Sequence, residues 1–146
     1  MHDVDVVVVG GGVVGLSSAR ALAETGQTVA ILERHVRPGR ETSSHNSGVI
    51  HAGLYNPADS LKTRLCVEGR PLLYEFCRTH GVPHARVGKL VVARTPEDVP
   101  RIERLYARGR ENGVADLELV DEAFVTAREP HVAAVAALFS PSTGVV

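Results

Sequence analysis

The pattern of apolar and polar residues at the start of the chain predicts a strand, a helix and a second strand. Residues 6–9 are all valine, as in a strand buried on both faces of a parallel sheet. Apolar residues then recur at helical spacing from Val13 and stop at Gly26, which suits the left-handed conformation that ends many helices. Residues 28–32 form a second β-rich run, and Glu33 follows directly. The order predicts a βαβ unit.

Three glycines at the end of the first strand predict a dinucleotide site. Gly10, Gly12 and Gly15 have the spacing G-x-G-x-x-G. In this motif the first glycine permits a tight turn, the second lets the backbone approach a pyrophosphate, and the third lets helix and strand pack closely. The N–H groups of Val13 and Val14 at the helix start point at the phosphate. An ordinary glycine-rich turn is the alternative, but the flanking strand and helix favour a dinucleotide.

The acid after the second strand supports the same interpretation. Glu33 follows the glycines by about 20 residues, where a carboxylate can accept hydrogen bonds from the ribose hydroxyls of adenosine. Its negative charge disfavours a phosphate on the ribose 2′ position. Arg34 has the charge to accommodate such a phosphate, but a position at the surface or beside the adenine suits it better.

The remaining pattern predicts helices with few strands between them. Ser43 or Ser44 is expected to cap a short helix over residues 46–52. Ser60 caps a longer helix that ends before Gly81 and is expected to kink or break near Gly69 and Pro71. The further predicted elements are a strand over 89–94, an amphipathic helix over 96–112, a short helix over 121–129, a strand over 133–139 and a turn over 140–144. A complete dinucleotide-binding sheet needs about four to six strands, so we expect the first part of a larger protein.

Composition and charge limit the classes of function. The chain has 146 residues and a formal charge of -1, with mixed acids and bases, which does not support nucleic-acid binding. The longest uncharged run, residues 6–19, is too short to span a bilayer, and Asp3 and Asp5 stand where a signal peptide carries positive charge. Cys66 and Cys77 lie too far apart on one helix for a disulfide, and neither has metal-ligand spacing, so no metal site is predicted. We therefore expect a cytoplasmic protein without a transit peptide.

A second polar cluster follows Glu33. It consists of hydroxyl and amide side chains at the start of the expected short helix: Thr42, Ser43, Ser44, Asn46 and Ser47, followed by Gly48. A well-capped surface helix explains these residues on cap chemistry alone. A long cofactor that needs donors beyond its first phosphate is the other explanation.

Residues 42–69 carry a more specific signal. They read TSSHNSGVIHAGLYNPADSLKTRLCVEG and resemble the corresponding block of the L-2-hydroxyglutarate dehydrogenase/oxidase family, within the D-amino-acid-oxidase-like group of flavoproteins. GKLVVA at 88–93 and SPSTGVV at 140–146 resemble later blocks of that family in the same order. The resemblance covers the whole chain and equates it with about the first third of such an enzyme.

The resemblance implies an FAD-dependent oxidoreductase that converts L-2-hydroxyglutarate into 2-oxoglutarate. The implied fold class is α/β: a Rossmann-like FAD-binding βαβ start (residues 1–84) and the beginning of an α+β substrate domain (residues 85–146), both incomplete. Oxygen or a quinone would accept the electrons.

The arginines at 101, 104 and 108 share one face of the predicted helix over residues 96–112. A solvated face explains them best, and contact with an anionic membrane surface, such as the inner face of the cell membrane, is the second option.

The resemblance also implies a catalytic role for His51. It places the HAG segment, residues 51–53, close to the flavin ring and the substrate. Oxidation of a 2-hydroxy acid needs a base for the hydroxyl proton, and histidine, with an ordinary pKa of about 6.5, suits this role. A structural histidine bonded to backbone is the alternative.

Two other functions remain open at this point. A related flavoenzyme would oxidise an amino acid, an amine or glycerol 3-phosphate. A non-catalytic nucleotide-binding fragment would hold only the ADP half of the cofactor.

Overall fold

The structure is a computed structural model that describes residues 3–146. It contains a mixture of helices and strands in two compact units, Met1–Ser47 and Gly48–Val146. Each unit is described separately below.

The first unit is the predicted βαβ arrangement. Strand β1 (Val6–Val9) is followed by helix α1 (Val13–Glu24) and strand β2 (Val29–Leu32). β1 and β2 pair in parallel, with Val6 opposite Val29 and Val9 opposite Leu32. A Cβ added at Gly15 would lie 3.4 Å from Val8 Cγ1, so the absence of a side chain there lets α1 approach the sheet.

The burial of β1 differs from the prediction. Val6 and Val8 are half-buried, whereas Val7 and Val9 expose 50% and 84% of their surface. Burial of the other face stays a prediction for the larger protein that the strand count indicates, because among residues 3–146 only one face of β1 is covered. The reason is that α1 covers the side of β1 on which Val8 lies.

The predicted short helix over residues 46–52 is also wrong. Residues 41–46 form turns and bends, and strand β3 (Val49–Ile50) follows. Gly48 adopts φ +62°, a left-handed conformation that does not continue a right-handed helix. Val49 and Ile50 then pair with a distant strand, so pairing rather than local helix formation satisfies their backbone.

Helix α2 (Leu61–His80) is a single helix that contains Pro71. Ser60 caps its start by accepting a hydrogen bond from the Thr63 N–H (3.2 Å), and Gly81 ends it at φ +65°. The predicted break near residues 69–71 does not occur. A proline removes only one helical N–H, and the caps at both ends stabilise the turns on either side of it.

The remainder of the second unit is a three-stranded antiparallel sheet with a helix on each face. The strands of this sheet are β4 (Leu90–Ala93), β5 (Glu118–Asp121) and β6 (Ala136–Phe139), in the order β4-β6-β5. The helices are α3 (Val99–Glu111), which a 3₁₀ turn (Pro96–Asp98) precedes, and α4 (Glu122–Arg128). Strand β7 (Gly144–Val145) lies apart from this sheet and pairs with β3.

Two apolar clusters fill the space on the two faces of the sheet. Ala93 and Leu138 pack with Ile102 of α3 on one face. Ala137 packs with Val125 of α4 on the other. The predicted apolar stripe of the third helix is confirmed, because Val99, Leu105 and Tyr106 pack against the first cluster beside Ile102. Among residues 3–146 no helix has the length and apolar character needed to cross a membrane.

Candidate functional site

The turn between β1 and α1 is shaped by glycines at close backbone contacts. Gly10 has φ +103°, which L side chains rarely adopt. A Cβ at Gly15 would overlap the carbonyl oxygen of Gly10. A Cβ at Gly12 would lie 3.1 Å from Ser43 Oγ. The turn therefore needs glycine for both its conformation and its packing.

The carboxylate of Glu33 lies against this turn. Its Oε2 accepts a hydrogen bond from the Gly11 N–H (2.7 Å), and its Oε1 accepts one from the His35 N–H (2.8 Å). The backbone N–H groups of His35 and then of Gly11 hold the pKa of Glu33 below its usual range, because they stabilise the charged form. Glu33 thus presents an ionised acceptor beside the glycine turn.

Gly11 is a site residue that the sequence reasoning missed. It is buried, and a Cβ there would lie 3.0 Å from Glu33 Oε2. The available signal was the run of three consecutive glycines, whose middle residue the G-x-G-x-x-G spacing leaves unspecified.

Ser43 caps helix α1 rather than a helix of its own. The Val13 N–H donates to Ser43 Oγ (2.8 Å), although the two residues are 30 positions apart. Gly12 is the N-cap residue of α1 and has no side chain to fill this role. The N–H groups of Val14 and Gly15 follow in the first turn, where a helix supplies no internal acceptors. The prediction that Ser43 caps a helix over residues 46–52 is therefore wrong.

We expect Ser43→Ala to destabilise the protein by about 0.5–2 kcal/mol, the usual cost of a lost N-cap. The hydroxyl is the acceptor of the Val13 N–H, and alanine leaves that donor unpaired. Thermal or urea denaturation of the complete protein measures the effect. Ser17→Ala makes the same chemical change on an exposed face of α1 and serves as the control. Equal stabilities of the two variants would contradict the assigned cap.

The other polar residues of the second cluster make local contacts within the turn. Ser44 Oγ donates to the Glu41 carbonyl oxygen (3.3 Å), and Asn46 Nδ2 donates to the Ser43 carbonyl oxygen (3.0 Å). Thr42 and Ser47 are exposed. All belong to the same unit as the glycine turn, and Ser43 is joined to that turn by its side-chain bond.

Arg34 and Gly48 contact other parts of the chain. The Arg34 guanidinium lies 3.8 Å from the Glu41 carboxylate and is largely exposed. Gly48 belongs to the second unit, and its carbonyl oxygen accepts a hydrogen bond from the Val146 N–H (2.8 Å). Gly48 therefore continues the pairing of β3 with β7.

His51 follows β3 directly in the second unit. Its ring is accessible to solvent but partly desolvated, and this desolvation lowers the pKa of the imidazole. The positive charges of Lys89 and then Lys62 lower the pKa of His51 further, because they disfavour a second cation nearby. The arrangement favours a neutral imidazole, the form that accepts a proton.

Curated relatives match nearly the whole chain. The mitochondrial L-2-hydroxyglutarate dehydrogenase of Caenorhabditis elegans is 48% identical over 144 residues, which are 97% of this chain and 33% of the relative. The human mitochondrial L-2-hydroxyglutarate dehydrogenase is 42% identical over 144 residues, which are 97% of this chain and 31% of the relative. The chain thus spans about a third of the length of these relatives, as the family resemblance predicts.

The predicted cytoplasmic location, with its option at the inner face of the cell membrane, is wrong. Both relatives are named mitochondrial, which contradicts the prediction. The free cysteines and the polar composition on which the prediction rested do not distinguish one reducing compartment from another.

A solved structure and a family model also match this chain. The dithionite-reduced, FAD-bound L-α-glycerophosphate oxidase of Mycoplasma pneumoniae superimposes with a TM-score of 0.88 and 28% identity, covering 100% of this chain and 39% of the oxidase. The family model described as FAD dependent oxidoreductase matches residues 5–146. This match confirms the predicted enzyme class and the predicted cofactor, FAD. The chain belongs to the FAD dependent oxidoreductase family.

Proposed function

We propose that the complete protein oxidises L-2-hydroxyglutarate to 2-oxoglutarate with FAD. The observation that carries this proposal is the 48% identity over 97% of the chain to an L-2-hydroxyglutarate dehydrogenase. The site chemistry is compatible with it, since the chain offers a dinucleotide turn in one unit and a neutral imidazole in the other.

The first unit fits the ADP portion of FAD as a Rossmann-like βαβ start. The absence of a side chain at Gly10 leaves open space at the turn, where a pyrophosphate would approach the backbone, and the close packing at Gly12 and Gly15 holds the start of α1 against the turn. The N–H groups of Val13 and Val14 lie at the positive end of α1. Glu33 is the proposed acceptor for the ribose hydroxyls, because its carboxylate is ionised and lies at the turn.

The polar segment after β2 is proposed to bind the rest of the cofactor. Its members lie in the turn that Ser43 fastens to α1: Thr42, Ser43, Ser44, Asn46 and Ser47, with Arg34 and Gly48 on either side. Their exposed hydroxyl and amide groups have hydrogen-bonding capacity for ribityl hydroxyls and the flavin edge. We keep residues 1–84 as the proposed FAD-binding part and residues 85–146 as the proposed start of the substrate domain.

The chain itself supplies the proton acceptor in this proposal. Bound FAD would supply a hydride acceptor for the carbinol carbon of the substrate. His51 takes the proton of the substrate hydroxyl, so that the oxygen forms the carbonyl of 2-oxoglutarate. Desolvation, followed by the charges of Lys89 and Lys62, lowers the pKa of His51 and so favours its neutral form before the reaction.

Anaerobic mixing of the purified complete protein with L-2-hydroxyglutarate tests the proposal. We expect the visible absorbance bands of the oxidised flavin to bleach, because hydride transfer reduces the flavin by two electrons, and we expect 2-oxoglutarate to form in equal amount. D-2-hydroxyglutarate under the same conditions is the control for stereochemistry. A flavin that stays oxidised with the L-substrate would refute the proposed substrate.

The second candidate is a related flavoenzyme with another substrate. The superposition on L-α-glycerophosphate oxidase favours it, since the two proteins share this part of the fold at 28% identity. Reduction of the flavin by glycerol 3-phosphate, an amino acid or an amine, with hydroxyglutarate inert, would decide for this alternative. A non-catalytic nucleotide-binding fragment would bind ADP or FAD but show no flavin reduction with any of these compounds.

We further propose oxygen or a membrane quinone as the electron acceptor. Arg101, Arg104 and Arg108 share one face of α3 and line a groove of about 610 Å³ together with Tyr55. A basic helix face of this kind supports peripheral contact with anionic lipids. Reoxidation rates with oxygen and with a soluble quinone, compared in the presence and absence of anionic vesicles, distinguish the two acceptors.

A further inference from the structure

The segment that connects β3 to α2 begins with His51 and has an irregular backbone. Residues 51–56 form neither helix nor strand, so no regular ladder satisfies their carbonyl groups. Arg70 of α2 donates from Nη1 to the carbonyl oxygen of Ala52 (3.1 Å). This bond fastens the residue directly after His51 to the middle of a long helix.

Asn112 fastens the same segment from α3. It is the C-cap residue of that helix, and its Nδ2 donates to the carbonyl oxygens of Gly53 (2.7 Å) and Asn56 (3.1 Å). The two bonds use both donors of the amide. We call Arg70 and Asn112 the loop clamp, because together they hold three carbonyl groups between residues 52 and 56.

Close packing supports the loop clamp. Ala52 and Leu54 are each only 2% exposed and belong to the main apolar cluster. Gly53 has φ +106°, and a Cβ there would lie 2.8 Å from Val67 Cγ2. The segment therefore lies directly on α2, and its backbone has little freedom to move.

The side-chain oxygen of Asn112 lies in an unfavourable environment. Its Oδ1 is buried and accepts no hydrogen bond from residues 3–146. A buried acceptor without a partner is unfavourable, and an apolar side chain at this position would avoid it. Its two donated bonds are therefore the contribution of this residue, and both end on the segment that carries His51.

We propose that Arg70 and Asn112 are positioning residues that hold the His51 segment so that its imidazole meets the substrate hydroxyl in one orientation. This inference rests on the proposed function, in which His51 is the proton acceptor. Neither residue touches the substrate in this account; both act through the backbone of residues 52–56.

The clamp also keeps His51 at a constant distance from its charged neighbours. The groups that act on the imidazole are Lys62, in the first turn of α2, and Lys89, which precedes β4. The Lys89 ammonium lies 5.1 Å from the centre of the Tyr55 ring, and its backbone pairs with Ser140. A segment released from the clamp would move relative to both charges.

A double-mutant cycle tests the proposal in the complete, FAD-loaded protein. The rate of flavin reduction is measured anaerobically for the wild type, Asn112→Asp, His51→Gln and the double variant. Asp keeps the shape of the side chain but removes both donated bonds. We expect Asn112→Asp to slow flavin reduction at least tenfold with less than a threefold change in substrate Kd. We expect almost no further loss when His51 is already replaced, because the clamp acts through it.

Two further variants separate positioning from general destabilisation. Arg70→Met removes the donor to Ala52 and is expected to behave like Asn112→Asp, whereas Arg70→Lys restores a donor and part of the rate. Ser142→Ala removes another side-chain bond, from Ser142 Oγ to the Asp116 carboxylate, which does not end on residues 51–56. It is expected to leave the reduction rate unchanged. If Asn112→Asp does not fold, the Arg70 cycle decides.

Additive losses in the cycle, or an equal loss in Ser142→Ala, would overturn the positioning role. Failure of the proposed function has a different signature. If hydroxyglutarate does not reduce the wild-type flavin but an amino acid, an amine or glycerol 3-phosphate does, the substrate is wrong and the same cycle is run with the active compound. If none of these compounds reduces the flavin, both the proposed function and the positioning role are refuted.

Discussion

Gly15→Ala is expected to weaken FAD binding by about tenfold to 100-fold, because a methyl group forced into a close-packed turn costs about 1–3 kcal/mol. The added Cβ would overlap the Gly10 carbonyl oxygen, which is backbone and cannot rotate away like a flexible side chain. Helix α1 must then move away from β1, and its N-terminal N–H groups move with it. Flavin content per protein after purification, and FAD titration of the apoprotein, measure the loss.

Gly69→Ala is the matched control for this change. Gly69 lies within α2, and a Cβ there meets nothing within 4 Å. The same methyl group at this position is expected to leave FAD content unchanged and to stabilise the helix by up to about 1 kcal/mol, the difference in helix propensity. Equal FAD affinity in the two variants would show that α1 does not hold the cofactor as proposed.

His51→Gln is expected to slow flavin reduction by about 10²–10⁴-fold, the usual contribution of a general base. Glutamine has a similar polarity but cannot accept a proton at neutral pH. Stopped-flow reduction under anaerobic conditions isolates this step from reoxidation. His131→Gln replaces an exposed histidine of a turn and is the control. A rate within threefold of the wild type would remove His51 from the mechanism.

The pH dependence of kcat/KM provides a second test of the role of His51. The neutral imidazole is the active form, so kcat/KM should fall as the pH drops through the pKa of His51. Desolvation and the charges of Lys89 and Lys62 lower this pKa below its ordinary value, so activity should persist to lower pH than for a free histidine. Lys89→Met removes one positive charge, which raises the pKa and moves the acidic limb to higher pH. A limb that does not move in Lys89→Met would contradict this electrostatic account.

The βαβ unit could be predicted from the sequence because its signals are local. Consecutive valines, a glycine turn, an amphipathic helix and a glycine stop all lie within the first 33 residues. The positions of α1 and β2 follow the predicted pattern closely. The bounds of α2 could be predicted equally well, because the capping residues Ser60 and Gly81 mark its two ends.

The strands that the sequence did not predict depend on partners that lie far away along the chain. Strand β7 is only two residues long, and Gly144 pairs with Ile50 from far along the chain. Gly144 itself sits where a Cβ would overlap the Tyr74 hydroxyl and the Ala85 carbonyl oxygen. No local pattern encodes these contacts, so the sequence predicted a turn. Strand β5 was missed similarly, because Glu118 and Asp121 obscure an apolar alternation that pairing with β6 stabilises.

In the candidate site, too, the sequence predicted the local contacts but not the long-range ones. The glycines and Glu33 were identified from spacing, since their roles depend on a turn of neighbouring residues. The cap formed by Ser43 and the clamp formed by Asn112 were not, because their partners lie 30 and 59 residues away. Sequence spacing identifies which groups are polar, but a fold is needed to show which donors they meet.

The bond between Ser43 and the Val13 N–H makes the first helix dependent on chain that is synthesised later. A peptide that ends at Glu33 contains β1, α1 and β2 but lacks this acceptor, so the first turn of α1 should fray in it. Closing the 30-residue loop costs entropy that grows only slowly with loop length, so the intervening turns can vary in length at little energetic cost. The first turn of α1 thus receives its cap from a residue that follows the second strand in the chain.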